Sequence, residues 1–203
     1  MKIICIGRNY IDHAKELNNN VPTEPVFFMK PDTALLRNNE PFYHPDFSED
    51  IHHEIELVIK INRVGKHISK EFAQRYYEEI GLGVDFTARD IQNELKKKGL
   101  PWEKAKAFDN SAPISSLFLK KEELILNNID FNLVINDKIT QSGNSSEMIF
   151  DFDDIISYVS KFVTLKIGDL IFTGTPAGVG KVQIGDRLKG YINQKLMLDF
   201  EIK

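Results

Sequence analysis

The stretch Asp130-Phe131-Asn132-Leu133-Val134-Ile135-Asn136-Asp137-Lys138-Ile139-Thr140-Gln141 holds two strand-like runs around an Asn-Asp pair. Asn and Asp tolerate the backbone of a tight hairpin turn, so residues 130–135 and 138–141 are expected to pair. Strand signals dominate from residue 113 onward. Residues 169–172, 187–192 and 196–201 read as further strands. One helix interrupts them, residues 153–162, with Ile155, Ile156, Val159 and Phe162 on its apolar side.

Upstream, residues 2–7, 25–30, 54–61 and 80–86 read as strands, the last strongly apolar. Helical spacing at residues 10–17 ends at Asn18-Asn19-Asn20. A second helix is expected over residues 69–79, capped by Ser69, with Phe72, Tyr76 and Ile80 as its stripe. A third opens at Thr87-Ala88-Arg89-Asp90, which resembles a capping box, and runs to about Lys98 before Gly99. Strands outnumber helices and are not regularly separated by them. That pattern predicts a strand-dominated α+β fold, not a doubly wound nucleotide fold.

The chain has 203 residues, 42% hydrophobic and 28% charged, with no repeat, low-complexity tract or linker. One domain over residues 1–203 is expected. Asp+Glu number 30 against Lys+Arg 26, a net charge of −4, which argues against a nucleic-acid partner held by a basic surface. The single cysteine, Cys5, excludes an intramolecular disulfide and a multi-Cys zinc site. It reads as a small core residue, and a reducing, cytoplasmic setting is expected. The apolar run at residues 3–6 is broken by Gly7 and Arg8, so no signal-peptide core is expected. No run of 18 apolar residues occurs, so no membrane partner is expected.

The chemistry starts at Glu54-Ile55-Glu56. Residues two apart on a strand share a face, so the two carboxylates point together while Ile55, Leu57 and Ile59 point into a core. Two such carboxylates repel, and a divalent cation would relieve them; taken alone, E-x-E is more often a solvated strand face. Asp85 ends an apolar strand, where an unpaired charge is costly, although backbone donors at a helix entry would also satisfy it. With Glu54 and Glu56 it would make three oxygen ligands, a set suited to Mg²⁺ or Mn²⁺ rather than zinc. Arg89 and Gln92, three apart on one helix, can bind a carboxylate and a carbonyl, or simply face water. Asp90 fits a cap better than a ligand. His13 and Glu16 are also three apart, and a carboxylate that orients an imidazole makes a general base.

At most one of His52 and His53 can point at the glutamate pair, and both read as structural. Lys96-Lys97-Lys98 reads as solvated. Lys106 differs because an irregular, aromatic-flanked segment surrounds it. Thr173-Gly174-Thr175-Pro176-Ala177-Gly178-Val179-Gly180 lacks the Gly-Lys-Ser/Thr of a P-loop. Its glycines suit a tight loop that presents backbone N–H groups, or a plain turn.

In this order the pieces resemble the fumarylacetoacetate hydrolase family. Ile6-Gly7-Arg8-Asn9-Tyr10 with His13 and Glu16 looks like its opening motif. Pro25-Val26-Phe27-Phe28-Met29-Lys30-Pro31, His53-Glu54-Ile55-Glu56-Leu57, Asp85-Phe86-Thr87-Ala88-Arg89-Asp90-Ile91-Gln92 and Ile171-Phe172-Thr173-Gly174-Thr175-Pro176-Ala177-Gly178-Val179-Gly180 continue it. The stretch Lys96–Lys106, with Lys-Lys-Lys-Gly-Leu-Pro-Trp, looks most like the acylpyruvase and oxaloacetate decarboxylase branch. The resemblance implies a mixed β-roll, usually a homodimer. It also implies Mg²⁺ or Mn²⁺ on Glu54, Glu56 and Asp85. It makes Lys106, Arg89, Gln92 and Thr175 substrate contacts, places Lys30 near the metal, and makes His13 with Glu16 a water-activating pair on a mobile lid. Cleavage of a C–C bond in a 2-oxo acid such as acetylpyruvate or fumarylpyruvate is the leading expectation, with decarboxylation of oxaloacetate beside it. An isomerase of 2-hydroxyhepta-2,4-diene-1,7-dioate, an oxaloacetate keto–enol tautomerase, and a non-catalytic protein that binds metal or oxo acid are the alternatives.

Overall fold

In the computed structural model, which describes residues 1–16 and 20–203, alternation along Ile55–Ile61 organises the centre of the molecule. Ile55, Leu57, Ile59 and Ile61 enter the main core, while Val58 joins a smaller cluster on the opposite face with Ile3, Cys5, Leu170 and Phe172. Both faces of this strand are buried along most of its length, in keeping with its Ile, Leu and Val content. It lies in a mixed six-stranded sheet in the order Val26–Lys30, Ile3–Gly7, Leu170–Phe172, Ile55–Ile61, Tyr77–Val84, Leu119–Lys120. Ile3–Gly7 and Leu170–Phe172 run parallel; the other pairs are antiparallel.

A four-stranded antiparallel sheet faces it across the main core, in the order Lys138–Asn144, Asp130–Ile135, Arg187–Ile192, Lys195–Glu201. The Asn136-Asp137 hairpin forms as expected: both residues take positive φ, 49° and 64°. A smaller sheet, Gly180–Lys181, Ile51–His53 and Thr87–Ala88, brings three distant parts of the chain side by side. Together these sheets make the strand-dominated mixed β architecture expected from the sequence. No helix among the described residues is long and apolar enough to cross a membrane.

Three sequence expectations change. Residues 69–79 form only one helical turn, Lys70–Ala73, and the strand Tyr77–Val84 starts where the helix was to continue. Pairing with Ile55–Ile61 buries Tyr77, Ile80, Leu82 and Val84, which outweighs the local helical spacing and leaves Phe72 exposed. Thr87 does not cap the helix Arg89–Lys98: its hydroxyl donates to the Asp85 carbonyl, and Asp90 instead accepts from Ser48 Oγ, Glu49 N and Ile91 N. Phe162, assigned to the apolar side of Phe152–Phe162, is exposed. The first helix is Ile11–Glu16; of its expected end, Leu17 followed by Asn18-Asn19-Asn20, residues 17–19 lie outside the described residues.

Candidate active site

Glu54 sits in the break between Ile51–His53 and Ile55–Ile61, and its carbonyl accepts the Asp85 N–H at 2.8 Å. That bond sets the end of Tyr77–Val84 against the start of Ile55–Ile61. Glu54, Glu56 and Asp85 therefore converge, each nearly fully buried, with carboxylate oxygens within 4.8 Å of one another. Cys5, buried on the same face of the sheet, is pushed up by burial and then by Asp85.

The three acids are not equivalent. Glu54 meets Lys106 Nζ at 2.7 Å and the Arg89 guanidinium. Burial opposes its charge, but Lys106 and Arg89 hold its carboxyl well below the usual range. Asp85 lies 2.7 Å from both Lys106 Nζ and Lys30 Nζ. Glu56 has no cation against it among the described residues; its partner is the Gly174 N–H at 2.7 Å. Burial, then Asp85 and Glu54, push Glu56 well above the ordinary value. An all-oxygen, buried set with one member left repelled by the other two fits a hard divalent cation.

The basic side chains are equally well fixed. Lys30, fully buried, also donates to the carbonyls of Phe86 and Ser111 and to Ser111 Oγ. Lys106 lies in a single helical turn, Glu103–Lys106, not in an irregular segment. Burial works against its charge, yet Asp85 and Glu54 outweigh burial and raise its pKa, so it stays an ammonium. The small sheet places Ala88 opposite Ile51, which carries Arg89 to Glu54. Arg89 then donates to Gln92 Oε1 at 2.6 Å, so both face the site and not water.

His13 Nδ1 lies 3.2 Å from Glu16 Oε2, and the imidazole is buried while Glu16 is 32% exposed. Burial lowers the His13 pKa against the opposing pull of Glu54 and Glu16, so the ring is neutral near pH 7. The loop after Leu170–Phe172 supplies N–H groups to two site carboxylates: Gly174 to Glu56, and Gly178 to Glu16 Oε1 at 3.1 Å. Gly174 must be glycine: its φ is +104° and an added Cβ would lie 2.6 Å from Asn9 Cβ. Thr175, also buried, lines the same cleft as His13, the triad, Arg89, Gln92 and Lys106. The structure thus brings the expected residues into one place; Lys30 stands behind Asp85, off the cleft wall. His52 and His53 are held by Asp50 and Gln141.

Sequence reasoning missed five residues. Phe28 and Trp102 form an edge-to-face pair on the cleft wall. Lys96, expected in solvent, is half-buried there, as is Arg8. Gln141, outside the cleft but 1% exposed, joins its parts. Its Oε1 accepts from Ile55 N and lies 2.8 Å from His53 Nδ1, and its Nε2 donates to Thr175 Oγ1 and the Pro176 carbonyl. Gln141→Ala should cost about 2–3 kcal/mol in urea unfolding, because these buried partners lose their bonds.

The pattern described as fumarylacetoacetate (FAA) hydrolase C-terminal matches residues 2–200. A mitochondrial protein named oxaloacetate tautomerase FAHD1 from Bos taurus is 41% identical over 201 residues, 99% of this chain and 91% of the relative. A mitochondrial oxaloacetate decarboxylase from Dictyostelium discoideum is 44% identical over 189 residues, 93% of this chain and 87% of the relative. The structure of fumarylpyruvate hydrolase from Pseudomonas aeruginosa, in complex with Mn²⁺ and pyruvate, aligns with a TM-score of 0.93 at 34% identity, covering 100% of this chain and 89% of that one. These relatives are enzymes. The fold, the arrangement of the cleft and the likeness along almost the whole length agree: the chain belongs to the fumarylacetoacetate hydrolase family.

Proposed function

We propose that the protein is a divalent-cation-dependent enzyme of oxaloacetate-type 2-oxo acids, with keto–enol tautomerisation as its main reaction. The observation that carries this reading is the meeting in one cleft of three buried carboxylates and His13, whose imidazole is paired with Glu16. The activities named for the bovine and Dictyostelium relatives favour oxaloacetate over the acylpyruvates that the sequence put first.

Glu54, Glu56 and Asp85 would hold Mg²⁺ or Mn²⁺, which when bound supplies Lewis acidity to a chelating carboxylate and 2-oxo oxygen. The Glu16 carboxylate accepts the His13 Nδ1–H, which leaves Nε2 with its lone pair. His13, kept neutral by burial, takes a proton from C3 of the keto form, and the enolate oxygen takes up a proton from solvent to give the enol; in the reverse direction the enol oxygen gives its proton to solvent and protonated His13 returns one to C3. Lys106 remains charged and offsets the negative charge that grows on the 2-oxo oxygen. Arg89 is engaged with Glu54 and Gln92 and fixes their orientation, and the Gln92 amide N–H group serves the substrate.

Hydrolysis of an acylpyruvate is the second reading. The exposure of Glu16 favours it, since solvent reaches the pair, and Nε2 would then take its proton from water. The fumarylpyruvate hydrolase from Pseudomonas aeruginosa is in accord with it. A product assay with Mg²⁺ separates the reactions. Oxaloacetate should interconvert between enol and keto forms at unchanged mass, well above the uncatalysed rate. Release of pyruvate from acetylpyruvate, without oxaloacetate tautomerisation, would put hydrolysis in its place.

A further inference from the structure

Arg89, Gln92 and Lys96 recur along one face of the helix Arg89–Lys98, and all three line the cleft. Lys96 is the outermost of them, half-buried, with Nζ 5.5 Å from the centroid of the Trp102 ring. Arg8 enters the same cleft from the loop after Ile3–Gly7. Its φ is +60°, an unusual value for a residue with a Cβ. Asn9 enforces it: fully buried, Asn9 donates to the carbonyls of Phe150 and Thr173 and accepts from Phe150 N. Strain held in place by neighbours in this way, beside a cleft, points to a ligand.

Among the described residues neither Lys96 nor Arg8 has a carboxylate partner, whereas Arg89 and Lys106 are paired with Glu54 and Asp85. Burial, then Arg89 and Arg8, and to a lesser extent Lys106, bring the Lys96 pKa down to about 8. Glu54 acts in the other direction, and it is already engaged by Arg89 and Lys106. Two cations are thus held near each other, partly desolvated, with no counter-charge. An anion would complete them, and a charge-assisted bond is strong where water is partly excluded.

We propose that Lys96 and Arg8 form a subsite for the second, distal carboxylate of a dicarboxylic 2-oxo acid, and so select it over acids with an uncharged tail. The inference rests on the proposed function for the placement of the 2-oxo acid head at the triad. It adds the residues that read the other end.

The test is calorimetric binding of L-malate and L-lactate to the Mg²⁺-loaded protein. The two ligands share a 2-hydroxy acid head and differ by the carboxylate that malate carries on the lactate methyl. Malate should bind about tenfold tighter or more, the effect of one charge-assisted bond. Lys96→Met should remove that advantage and leave lactate affinity unchanged, and Lys96→Arg should restore most of it. Equal affinity of the two ligands in the native protein overturns the proposal. So does an advantage that survives in Lys96→Met, a loss in equal proportion for both ligands, or no measurable malate binding. Neither ligand has an enolisable ketone, so the result does not depend on turnover. Malate preference without tautomerisation would fail the proposed function and keep the subsite, and tautomerisation without malate preference would do the reverse.

Discussion

Glu56→Gln should reduce turnover by about a thousandfold or more and abolish stabilisation of the protein by Mg²⁺. The amide keeps the size of Glu56 and an oxygen for the Gly174 N–H at 2.7 Å. It removes the charge, and with it a third of the negative charge of the cation set Glu54, Glu56 and Asp85. Metal-free protein should respond in the opposite sense. Glu56 is the acid that burial and its two neighbours oppose most, with no cation in contact among the described residues, so its neutral replacement should unfold at an equal or higher urea concentration. Urea titrations of both proteins, with Mg²⁺ and with chelator, provide the comparison. Persistence of full Mg²⁺ stabilisation in Glu56→Gln would exclude Glu56 as a ligand.

His13→Ala carries the second large effect. General acid–base groups contribute about 10²–10⁴-fold, and that loss is expected in tautomerisation and in acylpyruvate hydrolysis. Decarboxylation of oxaloacetate forms its enolate by loss of CO₂ and takes no proton from carbon or water at that step, so it should suffer less. Equal loss in all three would remove the assigned role. The pH dependence has a defined sign. Burial places the His13 pKa below 6.5 in the folded protein. Native protein then binds fewer protons than unfolded protein between its own pKa and 6.5. The stability His13 contributes is complete above 6.5 and falls as pH drops through that window. Turnover should fall on the same acidic side, and His13→Ala should lose that limb of the rate profile.

Legibility differed between residues for physical reasons. Glu54 and Glu56 could be read because a period of two on an apolar strand leaves them no independent direction, and Asp85 because so apolar a flank does not leave a carboxylate exposed without cause. The hairpin at Asn136-Asp137 is a local property, and local chemistry sufficed. Only the later part of the strand Tyr77–Val84 could be read; its start was hidden by helical spacing because its pairing with Ile55–Ile61 is not a local property. Gln141 gives no local sign at all: its contacts with His53 and Ile55 span 88 and 86 residues. Lys96 looked like one of three solvated lysines, and only the helix phase set by burial of Arg89, Gln92 and Leu95 separates it from Lys97 and Lys98.

The measurement that bears most directly on the central claim is the decay of the oxaloacetate enol, followed by its ultraviolet absorbance, first with Mg²⁺ and then with excess chelator. Fast decay with Mg²⁺, falling to the uncatalysed rate with chelator and recovering on addition of Mn²⁺, is the predicted result. Enzymatic decay that continues unchanged after the cation is stripped would contradict it.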